Sequence, residues 1–170
     1  EGDLFTGELE LSEPSPDRAP RSRSSASWDP DAECPRFSEF LIKAVPSEQE
    51  RDTLQEYTGY CLMHWAMPLH KGLFIVGPTA SGKSTFLKVL RSLLGSVASV
   101  SPHELVNGRF GASELEDAWA NIRTDIASEV LQNIGKFKEI LAGEPMHAER
   151  KHQQGYEIEP TAKHLYSANR

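Results

Sequence analysis

Cysteine is scarce in this sequence. The only two, Cys34 and Cys61, supply neither a disulfide framework nor a zinc site, and Cys61 falls in an apolar helical stripe, the place of a buried thiol. A run of about 18 apolar residues is absent too, so no segment reads as a membrane span. The first residues lack the basic-then-apolar pattern of a secretory leader. Aromatic residues make up 8% of the 170 and apolar residues 38%, a little low for a chain folded from end to end. No internal repeat is visible.

What charge there is lies unevenly. Residues 1–70 carry 14 acidic and 6 basic side chains, a net of −8, whereas residues 71–170 carry 11 and 12, a net of +1. The overall −7 therefore belongs to the front of the chain and does not argue against a nucleic-acid partner for the rest. Residues 1–32, rich in Ser, Pro, Asp and Glu, cannot bury enough apolar surface to offset their ordering entropy and are expected to form a disordered acidic tail. Residues 33–70 read as a helical lead-in. Phe37, Phe40, Leu41 and Ala44 recur at helical spacing until Pro46. Ser47 and Glu50 then have the spacing of a capping box, followed by one apolar face of Leu54, Tyr57, Cys61, Leu62 and Trp65.

From Gly72 the texture changes. The continuous run "LFIV" predicts a parallel strand covered on both faces. A helix through Phe86, Leu87, Leu90, Leu93 and Leu94 follows, which Gly95 is placed to end. "SVASV" is a second candidate strand. Ser101, Pro102 and Glu104 start a short helix, and "SELE" at 113–116 repeats the capping-box spacing. "ANIRTDIA" reads as a strand, "IGKFKEILAG" as a helix, and "YEIEP" with "AKHLYSAN" as further strands. Strands alternating with helices predict an α/β layered fold over 71–170. The chain stops at "SANR", directly after an apparent strand, and reads as a piece of a longer protein.

Between the first strand and its helix, Gly77-Pro78-Thr79-Ala80-Ser81-Gly82-Lys83-Ser84-Thr85 satisfies G-x-x-x-x-G-K-[ST] in full. The spacing has a chemical reason. Gly77 and Gly82 let the chain wrap so that backbone N–H groups point at phosphate oxygens, and the helix beyond adds its positive end. In such a loop Lys83 reaches the β- and γ-phosphates and the Ser84 hydroxyl holds Mg²⁺, with Thr85 as the neighbouring hydroxyl. The expected ligands are ATP and Mg²⁺.

The stretch "FGASELEDAWANIRTDIASEVLQNIGKFKEILAGEPMHAERKHQQGYEIEPTAKHLYSANR" resembles the superfamily 3 helicases, in particular the ATPase part of phage and plasmid primase–helicases. The resemblance runs from about Pro35 to the end, and implies an AAA+-like P-loop core truncated at its C-terminal end. It implies that Asp125, on the "ANIRTDI" strand, ligates the metal through water and helps position the attacking water, with Glu129 able to share that role. Asn121 and Arg123 interrupt the apolar run of that strand. "LAGEPMHAERK" is similar to the family's "TGGDPI-AE-K" segment, departing from it at Ala142 and Glu144. There the resemblance implies a hairpin whose Arg150, Lys151 and His152 approach the phosphate backbone of single-stranded DNA. Asn169, ending "AKHLYSAN", takes the place of the residue that senses the γ-phosphate.

The implied protein is a cytoplasmic ATP hydrolase and DNA helicase acting in replication of a virus, phage or plasmid. It works as a homo-oligomeric ring, a hexamer, with a primase domain in the same polypeptide and no membrane partner. Two alternatives stand beside it: another P-loop NTPase or kinase, and a truncated remnant that binds ATP without turnover.

Overall fold

In a computed structural model the described residues are 22–24, 26–126 and 133–170. Glu129 lies outside them. Among the described residues twelve elements follow one another. The helices α1 (Pro35–Ala44) and α2 (Glu48–Leu62) precede β1 (Gly72–Gly77), α3 (Lys83–Leu93), β2 (Val97–Ala98) and α4 (Pro102–Asn107). A 3₁₀ turn (Gly111–Leu115), β3 (Ala120–Arg123), α5 (Ile134–Ala142), β4 (Met146–Ala148), β5 (Tyr156–Ile158) and β6 (Lys163–Asn169) complete the order.

Two of the helix starts use the caps that their sequences carry. The Ser47 hydroxyl accepts from the Glu50 N–H at 3.4 Å and Ser101 from that of Glu104 at 3.1 Å, each satisfying a donor that the first turn leaves open. "SELE" does not start a helix. It sits in the 3₁₀ turn, where the Ser113 hydroxyl donates to the Phe110 carbonyl at 2.8 Å, a local bond that competes with capping. The α2 face also differs from its expected membership. Leu54, Tyr57, Tyr60 and Cys61 are buried, but Leu62 and Trp65 are 39% and 49% exposed because the helix ends at Leu62.

The main sheet is parallel, with strand order β1-β6-β3-β2. Its side chains alternate between two helical layers. Leu73, Ile75, Ile122 and Leu165 meet Leu54, Phe86, Leu87 and Leu90 of α2 and α3. On the opposite face Tyr166 meets Val106 of α4 and Phe137 of α5. Ile122 and Leu165 are wholly buried, each contributing about 2 kcal/mol by leaving water. β4 and β5 form a separate antiparallel hairpin, Met146 opposite Ile158.

β1 is not covered on both faces. Phe74 and Val76 are 48% and 51% exposed, because among the described residues β1 is the edge of the sheet and α5 lies against only its start, Leu141 beside Gly72. Gly95 does not end α3 either. The helix closes on Leu94 in an extended conformation, and a Cβ at Gly95 would lie 2.7 Å from the Arg23 carbonyl oxygen. Beside it the Ser24 hydroxyl donates to the Leu93 carbonyl at 2.6 Å. Glycine is needed there for the close approach of residues 22–24, part of the segment expected to be tail.

The polar interruption of β3 has a structural purpose. Asn121 is wholly buried, its Oδ1 accepting from the Val100 N–H at 2.7 Å and its Nδ2 donating to the Val100 carbonyl at 2.9 Å. The side-chain amide continues the short β2–β3 pairing where the backbones part. Asn121→Leu would strip both Val100 groups of partners, and we expect an unfolding free energy lower by about 2–3 kcal/mol, read as a lower urea midpoint. An unchanged urea midpoint would contradict that role.

Candidate functional site

Three adjacent parallel strands deliver their carboxyl ends to one place, where open α/β sheets put their ligands. β1 ends at Gly77, which is in register with Asn169 at the end of β6. The Arg170 N–H closes this corner on the Gly77 carbonyl at 3.3 Å. β3 runs beside β6 as far as Arg123 opposite Tyr166. Past it the Asp125 N–H lies 3.4 Å from the Ser167 hydroxyl, and the Ile126 N–H bonds the Ser167 carbonyl at 2.9 Å. The Asn169 side-chain amide then donates to Asp125 Oδ1 at 3.2 Å, so two residues 44 apart in sequence are one hydrogen-bonded pair. Asp125 holds this position with a φ of 51°, a left-handed conformation that costs a non-glycine residue about 1–2 kcal/mol.

The loop from Gly77 wraps back over this corner. Ala80 has a φ of 62° and Gly82 a φ of 94°, and Gly82 caps α3 with no side chain to satisfy the first N–H groups. Those donors stay available to an anion. Lys83 is buried, and its ammonium donates to the carbonyls of Gly77 at 2.9 Å and Pro78 at 2.7 Å, with the Ser81 hydroxyl at 3.3 Å. It is folded onto its own loop. Ser84 and Thr85 are exposed on the first turn of α3. A Cβ at Gly82 would stand 3.0 and 3.1 Å from the Phe40 ring and 3.3 Å from Ala44, so α1 lies directly against the loop. Gly82→Ala would meet both that ring and the left-handed backbone. It is expected to cost about 1–3 kcal/mol, read as a shift of the thermal midpoint; an unshifted midpoint would show that the loop is not held in this conformation.

The donor set suits the expected ion. Ser84 and Asp125 offer hard oxygens, and Mg²⁺ takes one or two such ligands while keeping waters and substrate phosphates. Among the described residues no cluster of three or more His, Cys, Asp or Glu gathers, so an all-protein metal cage is not part of this chain's described design.

The basic residues sit elsewhere, in the loop between β4 and β5. Arg150 is engaged: its guanidinium bonds Glu116 at 2.7 Å and lies 5.6 Å over the Tyr156 ring. Lys151 and His152 are exposed at the turn, His152 with a φ of 65°. No helix among the described residues is long and apolar enough to cross a membrane. Two site residues escaped sequence reading. Ser167 holds the β3 exit and Phe40 roofs the loop, and neither belongs to a pattern that marks its role.

Residues 75–170 match the model of DUF5906, a family of unknown function, and the chain belongs to that family. No curated protein matches the chain. Among solved structures, the A form apo structure of the NrS-1 C terminal region superposes with a TM-score of 0.65 at 12% identity, covering 94% of this chain and 37% of that one. A second apo structure of the NrS-1 C terminal region gives a TM-score of 0.65 at 11% identity, covering 93% and 37%. The present chain thus spans little more than a third of the length of those structures, and the likeness is one of fold.

Proposed function

We propose that this member of the DUF5906 family is the ATP-binding part of a superfamily 3-like helicase that acts in DNA replication. The observation that carries the reading is the meeting of the Gly77–Lys83 loop, Asp125 and Asn169 at the ends of three neighbouring parallel strands. Phosphate oxygens take the uncapped N–H groups at the start of α3. Lys83 exchanges the carbonyls of Gly77 and Pro78 for the β- and γ-phosphates, a trade that its flexible stem permits. When bound, Mg²⁺ neutralises charge between those phosphates, held by Ser84 and by Asp125 through water. Asn169 fixes the Asp125 carboxylate by its hydrogen bond and presents its amide toward the attacking water.

The β4–β5 turn, with Lys151 and His152 at the surface, supports a contact with the backbone of single-stranded DNA, where each cation releases counterions. A hexameric ring and a primase domain in the same polypeptide belong to the same proposal. The kinase alternative has less support. Residues 101–118 form α4 and the 3₁₀ turn, with Leu105, Val106 and Leu115 buried, rather than a substrate lid. The other alternative is a truncated remnant that binds ATP without turnover.

ATP hydrolysis measured with and without single-stranded DNA, alongside Lys83→Ala, separates these readings. We expect DNA to raise turnover and the substitution to lower it about 100-fold or more. Binding without turnover would favour the ATP-binder reading, and turnover indifferent to Lys83→Ala would overturn the site itself.

A further inference from the structure

A cavity of about 490 Å³ opens at the end of the sheet away from the phosphate loop, where Trp119 and Thr161 on its wall stand just before β3 and β6. His64, Trp65 and Trp119 line one part of it and Glu116, Asp117, Glu157 and Glu159 another, and no lysine or arginine among the described residues lines it. We propose that this cavity receives an arginine side chain from a basic segment of a partner protein, its guanidinium against the indoles and its N–H groups on the carboxylates. The inference is independent of the phosphate-loop reading. The aromatic wall is its first support. The His64 ring lies edge-on to both indoles, 4.4 Å from Trp119 and 5.3 Å from Trp65 between centroids, so the three rings form one connected surface. The fold uses that surface only in part: Trp65 is 49% exposed, and His64 Nδ1 is buried without a hydrogen-bond partner among the described residues. Cations, arginine above all, gather on indole faces. The imidazole adds no opposing charge at neutral pH, being held below the ordinary histidine range by burial and by the nearby Lys163 ammonium.

The molecule already shows the same chemistry at this corner. Glu116 takes the Arg150 guanidinium at 2.7 Å, which lies 5.6 Å over the Tyr156 ring, and the Tyr156 hydroxyl at 2.5 Å. A carboxylate beside an aromatic face thus holds one arginine here. Glu157 and Glu159 stand exposed two residues apart at the end of β5, and with the indoles they offer that pairing to an arginine from outside. An extended chain carrying more than one cation meets both carboxylates. The charged side chains lining the cavity are all acidic, so it repels phosphate, and a nucleic acid does not fit it.

The test follows the indole N–H resonances of the full chain as a capped Gly-Arg-Gly-Arg-Gly peptide is added, or the same peptide with citrulline for arginine. Citrulline keeps the shape and loses the charge. We expect the arginine peptide to shift the Trp65 and Trp119 signals saturably while Trp28 stays still, and the citrulline peptide to bind about 10-fold more weakly or worse. Trp65→Ala should weaken the arginine peptide roughly 3- to 30-fold, and Trp65→Phe, which keeps a ring face, by less. Glu157→Gln together with Glu159→Gln should weaken it about 3- to 10-fold and flatten its salt dependence. Lys83→Ala should leave it unchanged. Equal binding of the two peptides, binding by Trp65→Ala as strong as the parent's, or no saturable shift at all would each overturn the inference.

Discussion

Acidification from pH 6.5 to about 4 is expected to remove roughly 3 kcal/mol of stability through His164 alone. This imidazole is wholly buried in the central strand β6, and burial pushes it down to about 4. Its hydrogen bonds explain why a proton is unwelcome. The Asn121 amide nitrogen lies 3.3 Å from Nδ1, and the Tyr166 hydroxyl lies 3.0 Å from it. Asn121 also donates to that hydroxyl at 3.1 Å, which turns the tyrosine proton toward Nδ1. With both Asn121 N–H protons committed to Val100 and Tyr166, Nδ1 accepts from the tyrosine hydroxyl, the ring proton is assigned to Nε2, and a second proton would face that donor. Between pH 6.5 and 4 the unfolded chain binds a proton that the folded one refuses, so stability is full above the ordinary histidine range and is lost as pH falls through it. His64, half-buried and also lowered by burial and by Lys163, adds in the same direction. Urea midpoints at pH 7 and 4.5 should differ strongly in the parent and much less in His164→Phe; equal slopes in both would contradict the assignment.

Lys163→Ala is expected to cost about 3 kcal/mol or more. The side chain is wholly buried at the start of β6. Its ammonium donates to the carbonyls of Met63, Ala66 at 2.6 Å and Thr161 at 2.9 Å, and lies 5.1 Å over the Tyr60 ring. It ties the chain leaving α2 to the strand that ends at Asn169. Truncation leaves buried acceptors unpaired and a cavity behind them. Burial also holds this amine well below the usual lysine range, at about 8. Being a depressed base, it contributes stability that is complete above its unfolded value near 10.5 and lost as pH falls through 8. The gap between parent and Lys163→Ala should therefore widen from pH 8 to 10. Cys61, pushed up to about 12, and Tyr57, Tyr60 and Tyr166, all raised by burial, act oppositely in both proteins from about pH 9 upward and cancel in the difference. Chemical denaturation across that range checks both the size and the sign.

The parts of this molecule that were legible are those written locally. Ser47 and Ser101 cap as their spacing says, because a capping bond spans only three residues. Gly82 takes the left-handed backbone that starts α3, whereas Gly77 ends β1 without a positive φ. Asp125 and Asn169 were singled out separately, and the sheet order brings them within 3.2 Å of each other. What stayed hidden depends on which strands are neighbours. The run "LFIV" carries no sign that β1 is an edge, so Phe74 and Val76 appeared as core. Asn121 looked like a flaw in a strand until its partner Val100 was in place, and His164 carries no local mark of its buried hydrogen bond with Tyr166. Phe40 kept its helical spacing and packs against the core, but its place against the loop at Gly82 was hidden, since periodicity names the face that is apolar and not what covers it.

The central claim is that the Gly77–Lys83 loop, Asp125 and Asn169 form one nucleotide site. Calorimetric titration of ATP with Mg²⁺ into the full chain and into Lys83→Ala tests it most directly. We expect saturable one-to-one binding that Lys83→Ala weakens about 10- to 100-fold, the value of a charge-assisted phosphate contact. Absence of binding in the parent chain, or binding of equal strength in the variant, would contradict it.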